Sequence, residues 1–359
     1  MRTRLSLFFG IFAVMALSNA IVPVLPSYAG TSVIQGAIYS AYFLGAFLST
    51  LPAGALSDRY GRVPVIRIGL VITVASGLLL SVLVSPIPVI VTRIIEGVGA
   101  GFFVAAAMSY VNSLPDHERM SGYLMASLNA GLVIGLIFAG WLAAQIPNPA
   151  TGILVFSLLV IIPAAASFFI NEAGALTQKG TLKTIFYLVQ EFRWLWYSSV
   201  ILIGITGVVI SHYPKYSGYS PESVGYWISL MSIATIAGVL VASRLSLPPV
   251  PAIRWSALLM VIGVMVSYYS PLGFLMLGIC AGFVMIAQMA FLAQVSDHQG
   301  VAMGLFSTSS YLGMTALPFI TGIIADTSGF FYAFCATALF AVTVFLTIGK
   351  CDCQLHRSL

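Results

Sequence analysis

Arg93 and Glu96 stand three positions apart inside an apolar stretch, in a chain that otherwise places its charges at the borders of such stretches. At helical spacing the two share a face with Gly97 and Ala100. An ionisable side chain in a membrane-spanning helix costs at least about 2.5 to 3.5 kcal/mol on insertion scales, so it is retained for a function or with a partner. Two chemistries fit this pair. In one, an internal ion pair near the outer end of the helix holds it and moves nothing. In the other, Glu96 binds and releases a proton while Arg93 meets an anionic group. Burial favours the neutral form of a carboxylic acid and an adjacent guanidinium favours the ionised form, so the tightness of the pair decides between them. Asn19 and Gln288 are grouped with the pair as a proton or substrate site, and Asn112, Asn129 and His212 are further polar residues within apolar stretches.

A second concentration of charge is the turn Gly54-Ala-Leu-Ser-Asp58-Arg59-Tyr-Gly61-Arg62-Val-Pro64-Val65, set between two long apolar runs. Gly54 is expected to let one helix end pass close to another, Gly61 to supply the positive φ of a tight turn, and Pro64 to sit in the first turn of a new helix. Asp58 closes the second apolar run at the side where the eleventh begins, near Gly300. An anion at a helix N-terminus gains typically about 0.3 to 1 kcal/mol, which makes Asp58 a conformational latch between the two halves of the chain.

Composition fixes the setting of both groups. The chain has 359 residues, 60% hydrophobic and 7% charged, with a mean hydropathy of +1.03; a soluble globular protein carries about 25% charged residues. This is a polytopic membrane protein. The net charge of +5 belongs to short loops between apolar spans, not to one soluble face that would bind nucleic acid. Met1-Arg-Thr-Arg4, with the apolar run behind it and Ser18-Asn-Ala20, imitates a secretory signal. The run continues through Pro23 and Pro26 to about Tyr28, long enough to span.

Twelve spans are expected, at 5–28, 32–56, 64–84, 87–113, 119–146, 150–170, 195–213, 222–243, 253–270, 272–294, 300–325 and 329–349. An even count puts both termini on one side. That side collects thirteen of the fifteen Lys and Arg residues, the other has Lys215, and Arg93 lies within a span. Basic residues gather on cytoplasmic loops, so both termini are expected in the cytoplasm. The chain divides into a six-helix bundle at 1–171, a linker at 172–194, a second six-helix bundle at 195–350 and a tail at 351–359. In the linker, Leu182, Ile185, Phe186, Val189 and Phe192 recur at helical spacing, as an amphipathic helix on the membrane surface requires.

The halves repeat. Gly101-Phe102 is matched by Gly282-Phe283, Asp116-His117 by Asp297-His298, Gly131 by Gly313 and Gly140 by Gly322, at offsets of 181 and 182. Small residues four apart in membrane helices are packing seams; Gly131, Gly135, Gly140 and the proline-bearing Leu317-Pro318 are assigned to helix packing.

These residues carry a family resemblance. The turn from Gly54 to Arg62 resembles the signature G-x-L-x-D-R-x-G-R of the major facilitator superfamily, found between its second and third helices. Arg93-Ile-Ile-Glu96-Gly97-Val-Gly99-Ala100 looks like the family's fourth-helix pattern R-x-x-[QE]-G-x-G-A. Gly131 to Gly140 is similar to the antiporter signature of the fifth helix, G-x-x-x-G-P-x-x-G-G, with Leu136 in place of the proline and Ala139 in place of a glycine. The resemblance implies parallel six-span repeats with the transport site near midplane. It also implies gating by Gly54, Asp58, Arg59, Gly61 and Arg62, with Arg62 meeting an acidic residue for which Asp116 is nearest.

The fold expected is thus an all-α membrane protein of twelve helices in two pseudo-symmetric six-helix bundles. There is no H-E-x-x-H, no zinc-spaced cysteine cluster within the spans and no Walker loop, so neither metal, cofactor nor enzymatic activity is expected. The function expected is proton-coupled efflux of a small organic solute by a monomer in the cell membrane. The alternatives are uptake of a small sugar or organic acid, and a non-transporting sensor on the same scaffold.

Overall fold

The computed structural model describes residues 2–112, 117–146, 148–170, 182–245, 247–295 and 299–351. Among them there is no strand. The helices are α1 (Arg2–Ala20), α2 (Leu25–Tyr28), α3 (Ser32–Tyr60), α4 (Arg62–Leu80), α5 (Pro86–Asn112), α6 (His117–Gln145), α7 (Thr151–Ser167), α8 (Leu182–Glu191), α9 (Arg193–Tyr216), α10 (Pro221–Ala242), α11 (Pro249–Tyr269), α12 (Gly273–Val295), α13 (Gln299–Ser328) and α14 (Phe330–Thr347). Eleven stretches are long and apolar enough to cross a membrane, the first running from Leu5 to Tyr28 through the break at Pro23. The twelfth apolar helix, α7, has 17 residues. Arg67 explains its end, donating from Nε to the Ser167 carbonyl and from Nη2 to those of Phe168 and Ile170. Those donations satisfy carbonyls that a helix terminus leaves without partners.

Two compact units emerge from the packing. The first holds Met1–Gly30, Ala37–Lys179 and Ser217–Ser229; the second holds Thr31–Gly36, Gly180–Tyr216 and Leu230–Leu359. Helix α3 therefore begins in the second unit and continues in the first, and α10 does the reverse.

One helix crossing occurs in each unit and makes the repeat physical. In the first, α5 lies against α3 so closely that a Cβ on Gly97 would overlap the Tyr42 carbonyl and one on Gly45 the Ile94 carbonyl. In the second, a Cβ on Gly278 would overlap the Met231 carbonyl, and one on Gly282 would stand 2.6 Å from the Thr235 carbonyl. Gly278 is Gly97 displaced by the offset of 181 read from Gly101 and Gly282. Lacking a hydrophobic drive between helices, membrane interfaces gain from such backbone approach. The seam expected on α6 is of the same kind: Gly131 and Gly135 lie on the Phe12 and Ala16 carbonyls of α1, and Gly140 on the Pro221 carbonyl.

One expectation needs correction. Gly54 makes no close approach, for a Cβ there would meet no described atom within 4 Å. In α8, Phe186 and Val189 are exposed, while Leu188 and Phe192 are buried. The packed face is set by Trp196, whose indole donates to the Leu188 carbonyl at 2.9 Å, and by Phe291, edge-on to Phe192 at 5.6 Å.

Gly97→Val is expected to abolish recovery of monodisperse protein, because the clash is with backbone, whereas Gly54→Ala should leave the melting temperature unchanged or higher. Size-exclusion chromatography and thermal melting in detergent check both, and a well-folded Gly97→Val would remove the crossing from the account.

Candidate substrate and coupling site

Arg93 and Glu96 lie well inside α5, Glu96 ten residues beyond its start at Pro86, or about 15 Å along the axis. The pair is therefore deeper than the outer end of the helix. Arg93 Nη1 donates to Glu96 Oε2 at 2.8 Å, and the two side chains are 1% and 0% exposed. Arg93 Nη2 donates to the Ser18 carbonyl at 3.2 Å, and the guanidinium lies 4.6 Å from the centre of the Tyr42 ring.

Local sequence supplies both further partners. Helix α1 stops at Ala20, ahead of Pro23, and the last four carbonyls of a helix have no intrahelical acceptor role to fill. The Ser18 carbonyl is one of them. Tyr42 is brought to Arg93 by the crossing at Gly97, where its own carbonyl meets α5, and a guanidinium over an aromatic face gains about 2 kcal/mol when desolvated.

The pairing is incomplete. Glu96 Oε1 and Arg93 Nε are buried with no hydrogen-bond partner among the described residues, so the carboxylate holds the guanidinium by one oxygen. Buried polar atoms are nearly always satisfied, and an exception calls for a role. A carboxylate oxygen beside a guanidinium can take a proton, or with Arg93 can receive a polar solute.

The remaining candidates fall elsewhere. Asn19 turns away from the pair and donates to the Leu132 carbonyl of α6 at 3.3 Å. Asn129 bonds the Met125 carbonyl of its own helix. Gln288 belongs to the second unit, where its amide donates to Ser198 Oγ at 2.9 Å and its buried Oε1 has no partner among the described residues. His212 meets Thr321 Oγ1 at 2.9 Å, also in the second unit. Pro318 lies within α13, its carbonyl 2.5 Å from where a Cβ on Gly36 would stand.

At the charged turn, Gly61 has φ 95° and α4 begins directly after it, with Pro64 in its first turn. Arg62 is buried and donates from Nε to Ser109 Oγ near the end of α5 at 3.0 Å. Arg59 is exposed over the Tyr60 ring. The Asp58 side chain, Asp116 and the side chain of Asn112 lie outside the described residues.

Sequence reasoning missed a cluster in the second unit. Asp326 of α13 accepts the Ser32 N–H on Oδ1 at 2.8 Å and the Val33 N–H on Oδ2 at 2.7 Å. Lys215 lies 3.7 Å from Oδ1 and donates to Ser32 Oγ at 3.1 Å. Thr31 Oγ1 accepts the next amide, that of Ile34, so the orphan donors of the α3 terminus are capped in part by a side chain almost 300 residues away. Lys215, alone on its side of the charge pattern, was the one available signal.

Removing one member of a buried ion pair costs about 3 to 5 kcal/mol, whereas replacing both is far milder. Arg93→Gln is therefore expected to melt well below Arg93→Gln/Glu96→Gln, and equal melting of the two variants would mean the pair is not buried as described. Loss of a cap costs about 0.5 to 2 kcal/mol. Asp326→Ala should lower the melting temperature by several degrees, and an unchanged melt would show that its two amide contacts contribute nothing.

Comparison with known proteins bears on the whole chain. The Major Facilitator Superfamily profile matches residues 7–314 and 199–350. The quinolone resistance protein NorA of Staphylococcus aureus (strain MSSA476) is 24% identical over 352 residues, covering 89% of each chain. Multidrug resistance protein 2 of Bacillus subtilis (strain 168) is 24% identical over 351 residues, covering 88% of this chain and 87% of its own. Among solved structures, the nucleoside transporter NupG aligns with a TM-score of 0.77 at 13% identity, over 97% of this chain and 99% of that one. A D-xylose–proton symporter aligns with a TM-score of 0.76 at 13% identity, over 97% and 96%. With its apolar helices, its repeated crossing and these matches, the chain belongs to the major facilitator superfamily of multi-pass membrane transporters.

Proposed function

We propose that this transporter exports small organic, drug-like solutes in exchange for protons, with Glu96 as the proton carrier. The observation that carries the reading is the half-satisfied ion pair: Glu96 is held by Arg93 through Oε2, while its buried Oε1 has no partner among the described residues. The names of NorA and the Bacillus multidrug resistance protein support efflux of drugs.

In the cycle, water engaging Arg93 weakens its hold on Glu96, which then takes a proton; substrate binding at the site favours the ionised carboxylate again and expels that proton. A ligand shifts a two-state transporter only by its differential affinity for the two states, and this exchange of partners provides one. Gly54, Asp58, Arg59, Gly61, Arg62 and Asp116 form the latch that sets access, and Gly131, Gly135, Gly140 and Pro318 the helix packing about which the two six-helix bundles rock. Asn19 in the first unit and Gln288 in the second are further polar residues assigned to solute binding. The chain acts as a monomer in the cell membrane with both termini cytoplasmic, as the thirteen basic residues on the terminal side support.

Purified protein in liposomes with an imposed pH gradient, tested against a panel of cationic drugs, sugars and organic acids, reads solute and direction together. Drug movement opposite to proton flow is expected, lost in Glu96→Gln while substrate binding survives, with a melting temperature lowered because Arg93 is left buried without its carboxylate. Sugar or organic-acid uptake would overturn the export reading. An unchanged pH profile in Glu96→Gln would remove Glu96 as the carrier.

A further inference from the structure

Helices α11 and α12 leave an apolar groove of about 390 Å³ between them, lined by Leu247, Pro248, Ala252, Leu259, Ile279 and Phe283. Beside it, across Pro251 and Trp255, a second hollow of about 420 Å³ is formed with Arg254, Phe345 and Gly349. All these residues belong to the second unit. One hollow is almost wholly apolar; the other carries a cation.

Arg254 belongs with Arg59, Arg193 and Arg244, the exposed arginines without a hydrogen bond to a described residue, and among these it is the one beside the groove. Arg67, Arg93 and Arg62 each donate to a named carbonyl, carboxylate or hydroxyl. Arg254 is exposed and makes no hydrogen bond or ion pair with a described residue; its guanidinium lies 4.8 Å from the Phe345 ring centre and alongside Gly349. No Asp or Glu occurs anywhere in α11, α12 or α14. Lys350, at the same end of α14, rests over the Trp194 ring and adds a second positive charge. Among the described residues no acidic side chain pairs with either cation at this end of α11 and α14; Asp297 and Asp352 lie outside them.

Position supplies the rest. Arg254 is five residues beyond the start of α11, about 7.5 Å along the axis, a depth from which a long side chain reaches the membrane–water boundary while its stem stays in the apolar layer. Trp255, 61% exposed, stands at the level where indoles collect at that boundary. A groove on this face is in contact with lipid. An occupant must be apolar along the groove and anionic at Arg254, and it must come from the bilayer.

We propose that the α11–α12 groove is a binding site for an anionic phospholipid, one acyl chain lying against Ala252, Leu259, Ile279 and Phe283 and the headgroup phosphate accepting hydrogen bonds from Arg254. Arg is suited to this, since its planar fork bonds phosphate through two parallel N–H groups.

The test is native mass spectrometry of the full chain in detergent, with phosphatidylglycerol and phosphatidylcholine of identical acyl chains, and inorganic phosphate as a separate competitor. Wild type should retain phosphatidylglycerol about fivefold more strongly, the ratio expected from roughly one basic side chain near an anionic headgroup. The preference should vanish in Arg254→Gln, survive in Arg254→Lys and fall in Ala252→Phe, which fills the groove. Equal retention of the two lipids by wild type overturns the proposal with no variant needed. Unchanged preference in Arg254→Gln removes Arg254 as the headgroup partner, unchanged preference in Ala252→Phe removes the groove as the seat of the chain, and displacement by inorganic phosphate at millimolar level shows a free-anion site instead.

Discussion

A guanidinium and a carboxylate can share the interior of a membrane-spanning helix only if the surrounding helices neutralise them, and the first unit is built to do so. Arg93 meets the Glu96 carboxylate, the Ser18 carbonyl and the Tyr42 ring, three partners from three helices. Each depends on a separate feature of the backbone. The carbonyl is free because α1 ends at Ala20; the ring is in place because Gly45 and Gly97 let α3 and α5 touch through their backbones. Without the crossing, Tyr42 would stand back from Arg93 and the pair would carry its desolvation cost alone.

The second unit repeats the crossing and omits the charge. Gly278 and Gly282 meet α10 as Gly97 and Gly101 meet α3, yet the positions equivalent to Arg93 and Glu96 at the offset of 181 are Phe274 and Leu277. The buried polar pairs there are Gln288 with Ser198 and His212 with Thr321. Charge in the second unit sits instead at a helix terminus, where Asp326 and Lys215 hold the start of α3. One crossing, used twice, thus carries a buried ion pair in one of its two copies.

Much of this was legible in the sequence because the bilayer imposes its length on every helix. All twelve apolar helices fall within a few residues of where the hydropathy places them, and the Gly61 turn and the Arg93–Glu96 pair follow from spacing alone. What was not legible depends on separation. Ser32 and Asp326 are 294 residues apart, and no periodicity links them. Tyr42 reads as one more aromatic of an apolar face until the crossing turns it toward Arg93. Gly54 failed for the opposite reason: its place in a motif suggested a close approach that the backbone does not make. The packed side of α8 was not legible because Trp196 and Phe291, which decide it, lie outside its own sequence.

The central claim is that Glu96 changes protonation when substrate engages the site. Difference infrared spectroscopy of the purified protein, recorded with and without a transported solute, reads that change directly as a carboxyl carbonyl stretch. The account predicts a protonated-carboxyl band that changes on solute binding, shifts in deuterium oxide and is absent from Glu96→Gln. A spectrum with no such band, or one that persists unchanged in Glu96→Gln, would make the ion pair a fixed strut of the fold and place the proton elsewhere.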